Sequence, residues 1–274
     1  SGKSYTMYRK FIKEAAESEK RNFLIVVPEQ FTMQTQRELV LLQPEHTIMN
    51  IDVLSFGRLA YRVFDELGEN MLTILEETGK NYILKKIIRE QSDRLKFMAS
   101  KMNKAGYINE LKSVLSEFMQ YRILPEQLED MLSDSVPDVF SMKLKDIAVL
   151  YRAYLEELNG AYMTAEEVLV RLSEVVGRSR LVRGSVLLLD GFTGFTPVQL
   201  EALAAILPLC EKVYVNLTID SREDAWLSSG MQELFYLTKK TVRQLGKLAD
   251  MCGCELEEPL VFDSGKTMRY AQAE

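Results

Sequence analysis

The chain has 274 residues, 47% of them apolar, and its 40 acidic against 34 basic side chains give a formal net charge of −6. That supplies enough apolar material for one large or two ordinary soluble domains, and the acidity argues against a protein that coats DNA through bulk charge, though not against a local nucleic-acid groove. No stretch approaches the roughly 20 apolar residues of a membrane span and nothing reads as a secretory signal, so a cytoplasmic address and no membrane partner are expected.

The chain opens with Ser1-Gly2-Lys3-Ser4, the back half of a GxxxxGK[ST] phosphate-binding loop. In such a loop backbone N–H groups curl round the phosphates, Lys reaches the outer ones and the hydroxyl holds magnesium. Tyr5 to Ile12 continues with apolar residues at helical spacing, as a helix must if its N-terminus is to meet an anion. The leading glycine and first strand of the loop are expected upstream of Ser1, so the sequence reads as a piece of a longer protein. Phe23-Leu24-Ile25-Val26-Val27, stopped by Pro28, reads as a buried parallel strand. The single histidine, His46, falls in the polar turn Gln43 to Thr47 and is expected to be a solvated loop residue. As far as about Gly68 short apolar runs alternate with helical patterns, which is the signature of βαβ units.

Helical stripes then take over. Ile83, Leu84, Ile87 and Ile88 form one, Ile108, Leu111, Leu115, Phe118 and Met119 a second, and Leu144, Ile147, Tyr151, Tyr154, Leu155 and Leu158 a third that Gly160 closes. Thr164 with Glu167 makes a capping box for a fourth helix. Strand texture returns at Val186-Leu187-Leu188-Leu189, which ends on Asp190. Thr196, Pro197 and Gln199 start the next helix, leaving residues 191–195 as a loop at the carboxyl end of a strand, where parallel sheets bind ligands. Val213 to Ile219 is a further predicted strand, and Leu256 to Phe262, interrupted by Pro259, an edge strand. Cys210, Cys252 and Cys254 are too few for a disulfide framework, and a lone C-x-C lacks the paired spacing of a zinc site.

The predicted fold class is therefore α/β: a P-loop parallel sheet flanked by helices, built from residues 1–75 and 178–274, with an inserted all-helical subdomain at 76–177. The insertion accounts for the distance in sequence between Lys3 and Asp190. The residue after Asp190 is Gly191, where a nucleotide-hydrolysing P-loop protein carries a carboxylate that orients water. No catalytic residue is assigned, and the chain is expected to bind nucleotide more than to spend it.

The order of segments resembles the first, RecA-like motor domain of superfamily 1 DNA helicases. GKS with its helix is followed by Val27-Pro28-Glu29-Gln30-Phe31-Thr32, then Val53-Leu54-Ser55-Phe56-Gly57-Arg58-Leu59-Ala60, then a helical insertion and Leu188-Leu189-Asp190-Gly191-Phe192-Thr193-Gly194-Phe195-Thr196-Pro197 with Gln199. Most of all, these segments are similar to the N-terminal region of the B subunits of AddAB helicase-nucleases, over essentially the whole chain. The resemblance implies that Ser1, Gly2, Lys3 and Ser4 bind nucleotide, with Lys3 on the phosphates. ATP and Mg2+ are the implied cofactors, Ser4 ligating the ion and Asp190 supporting it through water. Gln30 and Thr32, within the segment Gln30 to Gln34, and Ser55, Phe56 and Arg58 match the motifs that contact single-stranded DNA, where Phe56 would stack a base. Core packing for Phe56 and a surface ion pair for Arg58 are the alternatives. Lys85, Lys86, Arg89, Arg94 and Lys96 make either a DNA-facing strip or a solvated helix face.

The resemblance further implies a heterodimer with an A subunit that supplies the motor. It also implies duplex-end and single-stranded DNA as partners in double-strand-break repair, and a nuclease domain with an iron–sulfur cluster in a C-terminal part distant from this region. Two departures stand out: Asp190-Gly191 in place of Asp-Glu, and no glutamine at the matching place after Val213 to Ile219 to sense the terminal phosphate. The alternative function is a working DNA-dependent ATPase in which Glu201, Asp220 or another acid replaces the missing carboxylate.

Overall fold

The structure is a computed structural model that describes residues 2–18, 20–43, 50–69, 73–98, 105–131, 138–220, 222–227 and 230–261. Ser1, His46 and Phe262 lie outside them. The chain forms two compact units, the first comprising Ser1–Glu69, Arg171–Phe195 and Gln199–Glu274, the second Asn70–Val170 with Thr196–Val198.

In chain order the first unit opens with α1 (Lys3–Glu17), β1 (Phe23–Val26), α2 (Thr32–Leu42), β2 (Ile51–Leu54) and α3 (Phe56–Leu67). Next come β3 (Thr73–Ile74), α4 (Glu77–Glu90), α5 (Ala105–Gln120), α6 (Pro125–Asp130), α7 (Asp138–Leu158), β4 (Tyr162–Met163) and α8 (Ala165–Val175). The remaining elements are β5 (Val186–Leu189), α9 (Pro197–Ile206), β6 (Lys212–Val215) and α10 (Tyr236–Met251).

The main sheet has the order β2-β1-β5-β6, and all three pairings are parallel. Four apolar residues in a row, Phe23 to Val26 and again Val186 to Leu189, are buried throughout, because a parallel sheet is covered on both faces. Alternation splits them. Phe23, Ile25, Val186 and Leu188 share one cluster with Met7, Tyr8, Phe11 and Ala15 of α1 and with Leu39 of α2. Leu24, Val26, Leu187 and Leu189 face the other way and are buried as well, as are Leu59 and Val63 of α3 and Leu203 and Ile206 of α9. The α/β class with a helix-flanked parallel sheet is thus the observed architecture.

Among the described residues the regular structure of the second unit is helical apart from the two-residue pairing of β3 with β4. Its core joins the three predicted stripes, with Ile83, Leu84, Leu111, Leu115, Tyr151 and Tyr154 among the buried members. Thr164 and Glu167 bond reciprocally at 2.7 and 3.3 Å, closing the predicted capping box. Asp146, 2% exposed, accepts the backbone N–H groups of Lys96, Phe97 and Met98 at 3.0, 2.8 and 2.8 Å and fastens that turn to α7.

Two predicted strands differ from the structure. The run Val213 to Ile219 is a strand only as far as Val215; Asn216 adds one more ladder bond and turns its side chain onto Asp190, and no strand follows it. Residues 255–261 form no strand. That segment carries Glu255, Glu257 and Glu258, whose charges disfavour pairing, and Pro259, which removes a ladder N–H that pairing needs.

Candidate functional site: the strand-tip carboxylate and the opening turn

The sheet register assembles the site. Past the last paired residues the ladder runs one step further: Asp190 N–H donates to the Val26 carbonyl at 3.0 Å and Asn216 N–H to the Leu189 carbonyl at 2.9 Å. Asp190 and Asn216 therefore stand side by side at the carboxyl ends of β5 and β6, and Asn216 Nδ2 donates to Asp190 Oδ1 at 3.0 Å. From α1, Ser4 Oγ donates to the same Oδ1 at 3.1 Å. Tyr8, on the same face of the helix as Ser4, donates its hydroxyl to Oδ2 at 2.7 Å. Asp190 is 4% exposed and Tyr8 3%. Burial, with the Asp190 carboxylate beside it, pushes the Tyr8 hydroxyl well above the ordinary tyrosine range, against a smaller opposing effect of its hydrogen bond with Thr35. The phenol stays protonated and acts as a donor.

The opening turn lies at this carboxylate. Gly2 caps α1 in the left-handed region at φ 36°, with no side-chain cap, and its carbonyl accepts from the backbone N–H and the hydroxyl of Thr6, both at 2.9 Å. The first N–H groups of α1 thus open onto the turn at the positive end of the helix dipole, an arrangement suited to an anion. Lys3 Nζ donates to Thr218 Oγ1 at 2.8 Å. The Thr218 carbonyl in turn accepts from the Thr238 hydroxyl on α10. Gly2, Lys3, Ser4 and Asp190 are therefore brought together, while Ser1 lies outside the described residues.

Whether these residues suit a magnesium ion is decided by the carboxylate. A hydroxyl next to an acid is suitable donor chemistry. Asp190, however, already accepts three protons on its two oxygens, and two of the donors, Tyr8 and Asn216, are buried. An ionised carboxylate offers about four acceptor sites, so one remains on Oδ2, and a second opens on Oδ1 if Ser4 turns onto an ion. The donor set fits a magnesium ion that Ser4 would hold and Asp190 would support through water.

Gly191 has φ +80°, a conformation that disfavours any side chain, and a Cβ there would touch Pro28 and Phe31. The absence of a water-orienting carboxylate is thus written into the backbone as well as the sequence. Of the two acids that could replace it, Glu201 sits on an exposed position of α9. Asp220 is held by Arg222, with contacts of 3.0 and 2.7 Å that keep its carboxyl well below the usual range.

The edge at the carboxyl ends of β1 and β2 carries the other predicted residues. Gln30 is exposed in the single turn Glu29–Phe31, and Phe31 beside it is 41% exposed. Thr32 is buried with its hydroxyl on the Glu29 carbonyl. Ser55 is 5% exposed and caps α3 by accepting the Arg58 N–H. Phe56 is also 5% exposed, its ring edge-on to Phe192 and Phe195 at 5.6 and 6.3 Å, so the solvent-facing ring of this edge is Phe31. Arg58 Nε pairs with Glu29 at 3.1 Å, both side chains well exposed. In the second unit Lys85, Lys86, Arg89, Arg94 and Lys96 are all exposed, with Lys86 on Glu157 at 2.7 Å.

The three cysteines are free, and burial pushes the Cys210 thiol up to about 11. Among the described residues no group of His, Cys, Asp or Glu could hold a metal ion by itself, and no helix is long and apolar enough to cross a membrane. Three residues with roles at the site escaped the sequence reading: Tyr8, Asn216 and Thr218. Tyr8 was legible as the residue four beyond Ser4 on one helix face. The other two depend on strand register.

All 274 residues match a family model described as "ADDB, N-terminal". Curated proteins named as the B subunit of an ATP-dependent helicase/deoxyribonuclease are similar over nearly the full chain. The protein of Lachnoclostridium phytofermentans is 39% identical over 268 residues, 96% of this chain. That of Caldanaerobacter subterraneus subsp. tengcongensis is 31% identical over 271 residues, 98% of the chain, and that of Thermoanaerobacter sp. strain X514 is 30% identical over all 274. The chain spans only 23 to 24% of the length of these relatives. Matched from end to end by the family model, and carrying the opening turn, the strand-tip acid and the VPEQ segment in order, the chain belongs to the AddB N-terminal family, the N-terminal part of the ATP-dependent helicase/deoxyribonuclease B subunits.

Proposed function

We propose that this chain is a degenerate helicase-like module of the B subunit of a DNA helicase/deoxyribonuclease. In this reading it takes ATP at Gly2-Lys3-Ser4 as a conformational ligand without turning it over, holds a DNA strand along the Gln30 to Arg58 edge, and docks the motor-bearing A subunit. The observation that carries the reading is the Ser4–Asp190 hydrogen bond at 3.1 Å, which joins the opening turn to a strand tip 186 positions away. That juxtaposition is what a phosphate loop and its partner strand require. A glycine in the left-handed region follows the acid, and phosphoryl transfer depends on positioned groups that orient water and spread charge. Without them the bound nucleotide is retained and its energy is not released here.

DNA retention draws on different groups. Exposed Gln30, Arg58 and Phe31 offer amide, guanidinium and ring contacts to phosphates and bases. The names of the relatives, which join helicase and deoxyribonuclease activities in one assembly, support placing this module in DNA-end processing.

The test is phosphate release by the assembled complex with the partner motor's own phosphate-loop lysine replaced. The reading expects no DNA-stimulated release above background. Release that disappears in Lys3→Ala would establish a working motor here and overturn it.

A further inference from the structure

We infer that the strap between β6 and α10 is a docking surface for the part of the B subunit that lies beyond this chain, with Trp226, Leu227, Met231, Leu234 and Leu237 as its contact residues. These five large apolar side chains fall within one short segment and are 50 to 88% exposed. Soluble proteins seldom gather so much apolar surface in one place unless another surface covers it. Trp and Met are also residue types that protein interfaces favour.

The strap is held in place. Lys239, 5% exposed, pairs its ammonium with Glu223 at 2.7 Å and with Glu233 at 3.6 Å, tying two separate points of the strap to α10. Arg243 donates to the Leu227 carbonyl at 2.7 Å, and the Trp226 ring lies so close to Gly246 that a Cβ there would come within 2.7 Å of it. Where the ends of the strap meet, the Thr238 hydroxyl donates to the Thr218 carbonyl at 2.9 Å. A buried lysine is a costly device for fixing a segment, and here it fixes one whose apolar side chains face solvent. Such preorganisation lowers the entropic cost of binding a partner.

The length of the relatives identifies the partner. The chain spans 23 to 24% of them and matches the family's N-terminal part, so in a subunit of that length most of the chain follows α10, the last helix among the described residues. A segment joined to α10 through the same chain meets the strap at the high effective concentration of an intramolecular partner, whereas the A subunit must reach it from solution. The covering surface is accordingly an apolar face of that following part. Nucleotide binding is not needed for this contact.

The experiment is photo-crosslinking in the assembled complex, with the full-length B subunit carrying Leu234→benzoylphenylalanine or Met231→benzoylphenylalanine and the products mapped by mass spectrometry. Both positions are expected to give peptides joined, within one B subunit, to segments beyond Glu274. Products joined only to the A subunit or only to DNA, or no product from either position, overturn the inference. Hydroxyl-radical oxidation of the unsubstituted protein gives an independent reading should the variants fail to assemble. Met231 is expected to oxidise at least about fivefold more slowly in the folded B subunit purified without its partner than in the urea-unfolded protein. Comparable rates, or slowing that appears only once the A subunit is added, would overturn the inference.

Discussion

Tyr8 donates its buried hydroxyl to Asp190 at 2.7 Å, tying the first helix to a strand tip 182 positions further along the chain. The bond does structural duty at the point where the βαβ halves on either side of the helical insertion meet. Tyr8→Phe keeps the ring and deletes one donor, so it is expected to destabilise the first unit by about 1–3 kcal/mol, the range for disrupting a buried hydrogen bond to a charged group. Chemical denaturation should report a lower midpoint with an unchanged slope.

Under the proposed function, a carboxylate engineered at Gly191 is not expected to give turnover. Its φ of +80° suits glycine, and a side chain there carries a strain of about 1–2 kcal/mol. Gly191→Glu is expected to lower stability by that order and to leave phosphate release at background. A gain in release with the partner motor disabled would contradict the account.

Arg58 and Gln30 are exposed polar groups at the strand-end edge. Replacing Arg58 by Ala removes the guanidinium proposed to meet a phosphate and is expected to weaken single-stranded DNA binding by roughly three- to tenfold and to lower the salt slope by about 1. Phe56→Leu, at a ring buried against Phe192 and Phe195, should disturb stability more than DNA affinity. Fluorescence anisotropy across a salt series separates the two effects.

Two carboxylates fasten the segment that follows α8. Burial pushes Glu66 up, but the Ser179 hydroxyl and the N–H groups of Arg180 and Leu181 outweigh it and hold its carboxyl below the usual range. Arg171 and Arg178 hold Glu69 down in the same sense. A carboxyl whose folded value is depressed contributes stability above its unfolded value, about 4.5 for Glu, and loses it as the pH falls through the folded value. The stability of the first unit is therefore expected to be flat near neutrality and to fall below about pH 5. Glu66→Gln should start lower and show a shallower fall; a steeper fall would contradict the assignment.

The sheet was legible because its strands are uninterrupted apolar runs bounded by Pro28 and Asp190, and the helical unit because its stripes keep a 3.6-residue period. The Lys3, Ser4 and Asp190 grouping followed from a loop pattern and a strand-tip acid. What stayed hidden depended on three-dimensional closure. Asn216 reads as a mid-strand residue until the register sets it beside Asp190, and Phe56 reads as an available aromatic until Phe192 and Phe195 fold over it. Thr218 has no signal of its own, since a threonine after a strand is common. The end of the chain misled because Leu256, Leu260 and Val261 look strand-like, yet no neighbouring edge pairs with them among the described residues.

The measurement that bears most directly on the central claim is a crystal structure of the full-length protein soaked with a non-hydrolysable ATP analogue. The account predicts phosphate density in the Gly2-Lys3-Ser4 turn, with Lys3 Nζ moved from Thr218 onto a phosphate oxygen and Tyr8 still on Asp190. A turn without phosphate density at saturating analogue, with Lys3 still bonded to Thr218, would contradict it.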